Sequence, residues 1–517
     1  MAPKDPLKPP RELEQRSAVV QTVVTNTLEV PCDPRDPDSG RWFDTSSGMN
    51  PVRPGNHVLA LVEGSEAFAA MVIAIETANS ASHYIYMLNW WAELDFELSP
   101  AHTLTGGAAS TKLIDLLSNA VSKGVQVRAM FWDQLGSQNS TEVKRINGLS
   151  FPGTPAPPGA NGGAILDNNT LNLGSHHQKI LIVQGDSGLI TYCGGVDFNP
   201  DRISHLTRQP GSPMHDVHCE IQGDASIDLL QIFLDRWTDH PDSAKIDAAN
   251  GPLRGLSSAI PGFHGDQFVQ IGRTFGNGSA HAGITNTKGQ RFYSFAPTGE
   301  RTAKRLIFHA IEQAQRFIYL EDQYLVDMDT SNKLKAQLPK IQRLIILIPH
   351  PSLNDHPHIW AMCKRFVDNL GSDPKVVVCY KKPPGVTPNP KVVAPTTTAT
   401  YVHAKMWIMD DKFAIIGSAN CGQRSYTHDS EVVAGIFDES KDSPCTLHFA
   451  HSLRIRLWAD HLNLKPADVF DPVGSAVHWF KPPVLARVAV FNQNADTDSR
   501  FNPNNIPTEA EAEPFGG

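Results

Sequence analysis

Two short segments of the chain carry the same pair of polar residues at the start of an apolar run. His177 and Lys179 precede the run ILIV, and His403 and Lys405 precede the run MWIM. Because residues i and i+2 of a strand lie on one face, each histidine should project beside its lysine. A neutral imidazole can attack phosphorus or transfer a proton, and lysines donate hydrogen bonds to phosphoryl oxygens. Two such pairs on one surface predict a phosphoryl-transfer site, with one histidine as nucleophile and the other as general acid and then base.

The residues that follow each pair are also matched. Each apolar run leads to a turn and a return strand, which ends in Gly194-Gly195 or in Gly417-Ser418. Small residues at these positions permit a close approach of other atoms. A polar residue follows two positions later, Asp197 in the first segment and Asn420 in the second.

A further strand then begins at a carboxylate in each segment, Asp216 in the first and Glu431 in the second. A carboxylate on the second ring nitrogen would fix the tautomer of an imidazole and stabilise its positive charge. Asp216 and Glu431 are the candidates for this role.

The two segments belong to a longer internal repeat. The stretch AIETANSASHYIYMLNWW (74–91) is echoed by AIEQAQRFIYLEDQYL (310–325), and in each half a second apolar strand and a Pro/Gly-rich loop follow. Strands that alternate with helices predict an α/β protein with two pseudo-symmetric α/β/α lobes, each a mixed β-sheet flanked by helices. One His-x-Lys segment is half a site, so we place the active site at the lobe interface.

The composition shifts suggest where the lobes begin and end. We predict an N-terminal extension over 1–50, a first lobe over 51–250, a second lobe over 251–480 and a C-terminal tail over 481–517, of which the stretch 494–517 is expected to be mobile. The stretch 239–265, rich in Pro, Gly, Ser and Ala, is expected to connect the lobes.

Charge and hydropathy restrict the class of partner. The 517 residues have a net charge of −9, which argues against nucleic acid as the partner. No apolar run is long enough to span a bilayer, and the charged, proline-rich N-terminus lacks a signal-peptide core. Seven scattered cysteines indicate reduced thiols. We expect a cytoplasmic protein as made, with export by a route that needs no signal peptide left open.

One histidine cluster invites a metal-binding interpretation. In HPSLNDHPHIW, His350, His356 and His358 lie close in sequence, but proline interrupts the spacing and no carboxylate stands at helical spacing to complete a ligand set. The glycine-rich stretches GGAILDNNT and FGNGSAHAG do not spell a phosphate-binding loop. We predict neither a metal nor a cofactor.

These residues resemble the phospholipase D superfamily, whose signature is His-x-Lys-x4-Asp followed by Gly-Gly or Gly-Ser and then Asn or Asp. The second copy matches throughout, with His403, Lys405, Asp410, Gly417, Ser418 and Asn420. The first copy has Gln184 in place of the aspartate, and Asp186 follows two positions later. We take the signature aspartate as mainly structural, so activity is still expected.

Three further segments are similar to the phosphatidylcholine-cleaving members of this superfamily. They are residues 214–237, the stretch IYLEDQYL (318–325) and the stretch LRIRLWADHL (453–462). The resemblance therefore covers roughly residues 55–480.

The resemblance implies a phosphohistidine route, in which His177 attacks the phosphodiester and His403 protonates the leaving alcohol. Water activated by His403 would then release phosphatidic acid, or a primary alcohol would accept the phosphatidyl group. Pseudo-symmetry makes the reverse assignment of the histidines physically possible. By the same resemblance, Asp216 would orient His177 and Glu431 would orient His403. The predicted catalytic set is His177, Lys179, His403, Lys405, Asp216, Glu431 and Asp410. The predicted phosphate-binding set is Lys179, Lys405, Asn420, Asp197, Ser418 and Gly195.

Lipid is favoured over nucleic acid as the substrate. Both half-sites lie in one chain, which predicts a monomer acting on phospholipid at a membrane or micelle surface. The apolar residues Ile165, Leu166, Val392 and Val393, in the loops before the two motifs, are candidates for membrane contact, although plain solvent loops are an equal alternative. A nuclease of the same superfamily and a catalytically weak phosphate- or lipid-binding module, suggested by Gln184, remain as alternatives.

Overall fold

The computed structural model describes residues 39–133, 139–171, 174–203, 214–276, 293–350, 353, 357–382, 400–438 and 448–492. The strands within them are β1 Val52–Val62, β2 Tyr84–Asn89, β3 Gln126–Trp132, β4 Gly163–Asp167, β5 Ile180–Gly185, β6 Gly188–Gly194, β7 Met214–His215, β8 Val217–Gln222, β9 Gln267–Phe275, β10 Glu300–Arg301, β11 Phe317–Asp322, β12 Arg343–Ile348, β13 Val376–Lys381, β14 Tyr401–Val402, β15 Lys405–Met409, β16 Phe413–Gly417, β17 Glu431–Asp438 and β18 Val488–Val490. The α-helices are α1 Gly64–Thr77, α2 Leu113–Ser122, α3 Ser140–Asn147, α4 Ala225–Asp239, α5 Ser243–Asn250, α6 Thr302–Gln313, α7 Met328–Gln337, α8 Pro357–Leu370, α9 Gln423–Thr427, α10 Phe449–Leu462 and α11 Val477–Phe480.

The sheet contains the same seven-strand arrangement twice. From its outer edge inward the first lobe has the order β4-β3-β2-β5-β6-β8-β1, and the second has β13-β12-β11-β15-β16-β17-β9. The three outer strands of each set are parallel, and the inner strands pair antiparallel. Strands β1 and β9 pair with each other, so the two lobes share one continuous mixed sheet. The predicted α/β fold with two pseudo-symmetric lobes is confirmed.

Helices cover both faces of this sheet because both faces of its strands are apolar. Every residue of β2 and β11 is buried, as expected for parallel strands between two helical layers. Helices α4 and α10 cover one face, where both lobes contribute to a single core that includes Trp237 and Trp458. On the other face, α1 and α2 cover the first lobe, and α6, α7 and α8 cover the second.

Part of each predicted extension belongs to the folded body. Trp42 is fully buried and stacks on Phe413 with ring centroids 5.7 Å apart. Strand β18 pairs with β13 at the edge of the second lobe. Main-chain pairing therefore holds the first residues of the predicted tail to the second lobe, and the stretch 494–517, predicted to be mobile, is not among the described residues. Residues 1–38 and 493–517 lie outside the described residues.

Two other sequence predictions can be compared with this fold. Ile165 lies in β4 and is 3% exposed, so its proposed contact with a membrane is wrong, since its side chain packs in the core. Val392 and Val393 lie outside the described residues. In the part of the chain that the structure describes, no helix is both long and apolar enough to cross a bilayer.

Candidate active site

The two histidine segments meet at the junction of the lobes through main-chain bonds that cross it. The His177 amide donates to the carbonyl of Ser430, 3.1 Å away, which precedes the carboxylate of the second lobe. The His403 amide donates to the carbonyl of His215, 2.7 Å away, which precedes the carboxylate of the first lobe. Strand β14 also pairs in parallel with β7. Each histidine is therefore held against the opposite lobe before its side chain makes any contact.

The imidazole–carboxylate pairs are likewise formed between lobes. His177 Nδ1 lies 2.9 Å from Glu431 Oε1, and His403 Nδ1 lies 2.7 Å from Asp216 Oδ2. The prediction that Asp216 orients His177 and Glu431 orients His403 is wrong. Within a lobe, β6 separates β5 from β8 and β16 separates β15 from β17, so the same-lobe carboxylate begins about 10 Å away across the sheet.

The second nitrogen of each ring faces the site without a partner. Nε2 of His177 and Nε2 of His403 are buried, and neither has a hydrogen-bond partner among the described residues. Because Nδ1 of each ring faces a carboxylate, the Nδ1–H tautomer leaves the Nε2 lone pair available. Buried polar atoms are rarely left unpaired in proteins. Two unpaired imidazole nitrogens at one junction therefore mark a ligand site.

Both imidazoles are held neutral in this structure. Burial, with the cations of Lys179 and Lys405, lowers the pKa of His177 well below its usual value. Burial lowers the pKa of His403 in the same way, and His177 itself adds to the effect. A neutral imidazole is the form that can act as a nucleophile.

The two carboxyl groups differ in their surroundings. Burial raises the pKa of Asp216 to about 6, so at neutral pH it accepts the His403 Nδ1–H bond as a carboxylate. Burial and the nearby Asp429 raise the pKa of Glu431 well above its usual value, against the opposing effects of the Lys179 charge and of hydrogen bonds from Ser418 and Ser425.

Each lysine is fixed by the main chain of its own motif. Lys179 Nζ donates to the His177 carbonyl at 2.9 Å, and Lys405 Nζ donates to the His403 carbonyl. Lys405 also donates to Gln323 Oε1 at 2.8 Å. Burial lowers the pKa of Lys405 to about 7. The site thus holds two buried lysines whose charged form an anionic group would stabilise.

Asp197 and Asn420 occupy corresponding positions in the two lobes but differ in their contacts. Asp197 Oδ1 accepts from the amides of Trp90 and Trp91 at 3.1 and 3.3 Å, and its Oδ2 lies 3.2 Å from Lys179 Nζ. Asp197 therefore holds the lysine rather than a phosphate, which corrects its predicted role. Asn420 Oδ1 is buried and has no hydrogen-bond partner among the described residues.

Gly195 and Ser418 lie against the carboxylates instead of facing a phosphate. A Cβ on Gly195 would lie 2.0 Å from Asp216 Oδ1, so only glycine leaves room for that carboxylate. Ser418 Oγ donates to Glu431 Oε2, and the Gly195 and Ser418 amides donate to the carbonyls of β8 and β17 residues. Their predicted phosphate contacts are corrected, because their polar groups are already bonded within the protein.

Asp410 lies outside the site, which corrects its place in the predicted catalytic set. It follows the end of β15, about 17 Å along the strand from Lys405. Its carboxylate accepts from the amides of Gln315, Arg316 and Phe317, at 2.7 to 2.9 Å. This contact ties the start of β11 to β15, so the group is structural.

Gln184 takes the position of Asp410 in the first lobe with different contacts. Its Oε1 accepts from the amide of Ile260 at 2.9 Å, in the segment that connects the lobes. Asp186 instead contacts the side chains of Asn79 and His83 at the surface. Neither residue approaches the imidazoles, so the departure from the signature leaves the site unchanged.

Sequence reasoning missed two buried arginines beside the site. Arg202 Nη2 lies 3.5 Å from Asp197 Oδ2, and its charge helps to lower the pKa of His403 after the larger effect of burial. Arg424 Nη2 lies 3.1 Å from Asp429 Oδ1 and contacts Ser175 Oγ. The residues next to Arg202 and Arg424 in the sequence show no strand or helix pattern that would indicate burial. Their place beside the site is visible only in the folded chain.

A buried network of ionised side chains lies behind Asp216 and was also missed. His215 Nδ1 lies 2.7 Å from Glu63 Oε1, and its Nε2 lies 2.6 Å from Glu321 Oε2. His461 Nε2 donates to Glu321 Oε1 at 3.0 Å. Against the effects of burial and of Lys381, Glu321 and Glu63 raise the pKa of His215 to about 9. A charged His215 thus fixes the backbone on which Asp216 stands.

The same network has the residue types of a metal site. Ligand atoms of His215, Glu321 and His461 lie within 4.8 Å of one another. However, Lys381 Nζ lies 3.2 Å from His215 Nδ1, and the hydrogen bonds within the cluster already occupy its carboxylates. A neighbouring ammonium group disfavours a second cation. The geometry fits an ion-paired support better than a metal centre.

The duplicated sheet and the two interlobe imidazole–carboxylate pairs define a protein built from two half-sites, arranged for phosphoryl transfer. Comparison with known proteins gives the family. The chain belongs to the phospholipase D family: the family model "Phospholipase D" matches residues 197–348 and 359–478, which together make up about half of the chain. This is a family of enzymes that act on phosphodiesters.

Several curated relatives are similar at low identity. The chain is 23% identical to phospholipase D alpha 2 of Oryza sativa subsp. japonica over 527 residues, covering 77% of this chain and 64% of the relative. It is 24% identical to phospholipase D alpha 1 of Cynara cardunculus, covering 75% and 63%. The chain thus spans just under two thirds of the length of these relatives.

A solved structure supports the fold. The phosphatidylserine synthase of Haemophilus influenzae Rd KW20 matches with a TM-score of 0.50 and 13% identity, over 76% of this chain and 85% of that chain.

Proposed function

We propose that this protein is a phospholipase D that hydrolyses glycerophospholipids such as phosphatidylcholine to phosphatidic acid and the free head-group alcohol. The observation that carries the proposal is the pair of buried, unpartnered Nε2 atoms of His177 and His403, each backed by a carboxylate from the opposite lobe. The similarity to plant phospholipases D favours a phospholipid among phosphodiester substrates.

In the first half-reaction, His177 Nε2 attacks phosphorus while His403 Nε2–H donates its proton to the departing head-group oxygen. A P–N bond forms and the P–O bond to the head group breaks. His403 must be protonated for this step, and the bound phosphodiester anion would raise its lowered pKa. Asp216 would stabilise the imidazolium through Nδ1, and Glu431 would stabilise the phosphorylated ring of His177.

In the second half-reaction, neutral His403 takes a proton from water as the water oxygen attacks phosphorus. The P–N bond breaks, phosphatidic acid leaves and His177 returns to the neutral form. A primary alcohol in place of water gives a transphosphatidylated lipid by the same steps. Lys179, Lys405 and the Asn420 amide would hold the nonbridging oxygens, since charged donors in a desolvated site stabilise developing charge strongly.

The assignment of His177 as the nucleophile follows the family resemblance. The local asymmetry is compatible with it: Lys179 is paired with the carboxylate of Asp197, whereas Lys405 faces the neutral amide of Gln323. The two half-sites are otherwise closely equivalent. A trapping experiment is therefore needed to decide which imidazole carries the phosphoryl group.

The test is a product assay on phosphatidylcholine, with and without ethanol, for the wild type, His177→Ala and His403→Ala. We expect choline and phosphatidic acid from the wild type, phosphatidylethanol when ethanol is present, and neither product from either variant. Acid quenching with labelled substrate should trap phosphate on a histidine of the wild type and none on His177→Ala. Cleavage of plasmid DNA without choline release would refute the proposal in favour of a nuclease. If acid quenching traps label on neither the wild type nor His177→Ala, a binding module is favoured.

A further inference from the structure

A turn at the edge of the second lobe exposes two adjacent apolar side chains. The Ala486 amide donates to the Pro483 carbonyl at 2.9 Å, which closes a turn with Val484 and Leu485 at its centre. Val484 is 80% exposed and Leu485 is 69% exposed. Central turn positions are usually taken by Gly, Asn, Asp or Pro, each for a conformational or hydrogen-bonding reason. Val and Leu have neither the conformational nor the hydrogen-bonding advantage of these residues, so turn formation does not explain why they stand at the tip.

The turn is anchored on both sides, so these side chains cannot fold back into the core. Ala486 is 4% exposed, and the Arg487 amide donates to the His461 carbonyl at 2.7 Å. The Lys382 amide donates to the Arg487 carbonyl at 2.5 Å, and β18 continues this pairing along β13. The tip is therefore a fixed apolar projection.

The turn lies at the same edge of the sheet as the candidate active site. Lys405 is opposite Asp322, at the carboxyl end of β11, and β12 and β13 run parallel to β11. Val488 is opposite Lys381, at the carboxyl end of β13. Because β18 runs antiparallel to β13, the residues before Val488 extend past this end. Four strand spacings separate β15 from β18, which places the turn about 20 Å to the side of the histidines.

The surroundings of the turn are basic. Lys481 is exposed just before it, and Lys382 is half-buried on the adjoining strand end. Among the residues that the structure describes, no carboxylate forms a salt bridge with either lysine, whereas Arg487 is paired with Asp460. An apolar tip flanked by lysines matches the boundary between anionic lipid head groups and acyl chains.

We propose that the turn Pro483–Ala486 docks the protein on a phospholipid surface, with Val484 and Leu485 inserted at the head-group boundary and Lys481 and Lys382 against anionic lipid phosphates. This inference rests on the proposed function, because a lipid substrate is what brings the site to such a surface. Docking there would turn the site edge of the sheet toward the lipid.

The test compares Val484→Ser/Leu485→Ser with Ile260→Ser as a matched control. Ile260 is 63% exposed and lies by the turn between β5 and β6, where Leu189 donates to its carbonyl, at the sheet edge opposite the site. Sedimentation with vesicles of phosphatidylcholine and phosphatidylglycerol measures partition. Hydrolysis of a short-chain phosphatidylcholine below its micellar concentration measures the site without a surface, and the thermal unfolding midpoint checks the fold.

We expect the double variant to partition onto vesicles about tenfold less than the wild type, with its activity on monomeric substrate unchanged. Ile260→Ser should partition as the wild type does, and Lys481→Glu should weaken partition onto vesicles with phosphatidylglycerol more than onto phosphatidylcholine alone. The inference is overturned if the double variant binds vesicles as well as the wild type does, or if Ile260→Ser loses as much vesicle binding as the double variant. If the proposed function is wrong, the wild type hydrolyses neither monomeric nor vesicle lipid. Binding to vesicles is measured by sedimentation, so it can be judged independently of hydrolysis.

Discussion

His403 depends on a carboxylate from the opposite lobe, with its Nδ1 2.7 Å from Asp216 Oδ2. His177 has the reciprocal contact with Glu431 at 2.9 Å. Each lobe therefore supplies the imidazole of one half-site and the carboxylate of the other. The lobes must be joined correctly for either histidine to be oriented, and this relationship makes the Asp216 side chain the most direct test of the site.

Asp216→Asn should lower kcat on phosphatidylcholine by about a hundredfold or more, with little change in KM. The amide keeps the volume of the carboxylate but cannot stabilise the imidazolium of His403. Steady-state kinetics on a monomeric substrate would measure the effect. Asp186→Asn is the matched control, because Asp186 lies at the surface, and it should behave as the wild type. A variant Asp216→Asn with the wild-type kcat would remove Asp216 from the mechanism.

Gly195→Ala should disturb the same pair without replacing a titratable residue. Its new methyl group would lie 2.0 Å from Asp216 Oδ1, so the carboxylate must move from His403. We expect at least a tenfold loss of kcat and a stability cost of about 1–3 kcal/mol, as is usual for overpacking. Gly255→Ala is the control, since a Cβ there meets no atom within 4 Å. Equal kinetics for the two alanine variants would show that the site tolerates the displacement.

The buried network behind Asp216 predicts a pH dependence of stability. Glu321 and Glu63 raise the pKa of His215 to about 9 despite burial and Lys381, so His215 binds a proton more tightly in the folded state than in the unfolded state. Its stabilising contribution is complete below about pH 6.5 and is lost as the pH rises through 9. A rise in the pKa of His215 from its usual 6.5 to about 9 corresponds to about 3 kcal/mol.

Urea unfolding of the wild type and of His215→Gln would measure this contribution. The variant should be less stable than the wild type at pH 6, and the difference should shrink by about 3 kcal/mol by pH 10. A difference that stays constant between these pH values would mean that His215 is neutral in the folded protein. His102→Gln, which removes a partly exposed histidine paired with Glu76, controls for general effects of histidine loss.

The sequence predicts most of the fold because strands and helices are visible in local patterns of apolar residues. Strand and helix patterns recur in the same order in both halves, and the strand order of the two lobes is identical. The order β5-β6-β8 follows the chain, but the contact across the lobe junction does not. That contact is what brings Asp216 to His403 rather than to His177.

The residue types of the site are predictable for a related reason. Histidine and lysine at alternate positions where an apolar run begins are costly to bury, so they stand out in the sequence. Gly195 and Ser418 are also visible, but their predicted phosphate contacts are wrong because their actual neighbours, Asp216 and Glu431, come from strands beside them. Arg202 shows the remaining limit, since an isolated arginine in a loop resembles any surface residue until the fold buries it.

Asp410→Asn should affect stability and leave the chemistry unchanged. The carboxylate accepts three amide hydrogens at the start of β11, at 2.7 to 2.9 Å, and an asparagine side chain can accept through only one oxygen. We expect a loss of about 1–3 kcal/mol in the free energy of unfolding, with the kcat of the folded enzyme within twofold of the wild type. Urea unfolding and active-site titration by the trapped phosphohistidine would separate the two quantities. His403→Ala should give the opposite result, with little product and a smaller change in stability. A large loss of kcat in Asp410→Asn under conditions where the variant is fully folded would show that Asp410 takes part in catalysis.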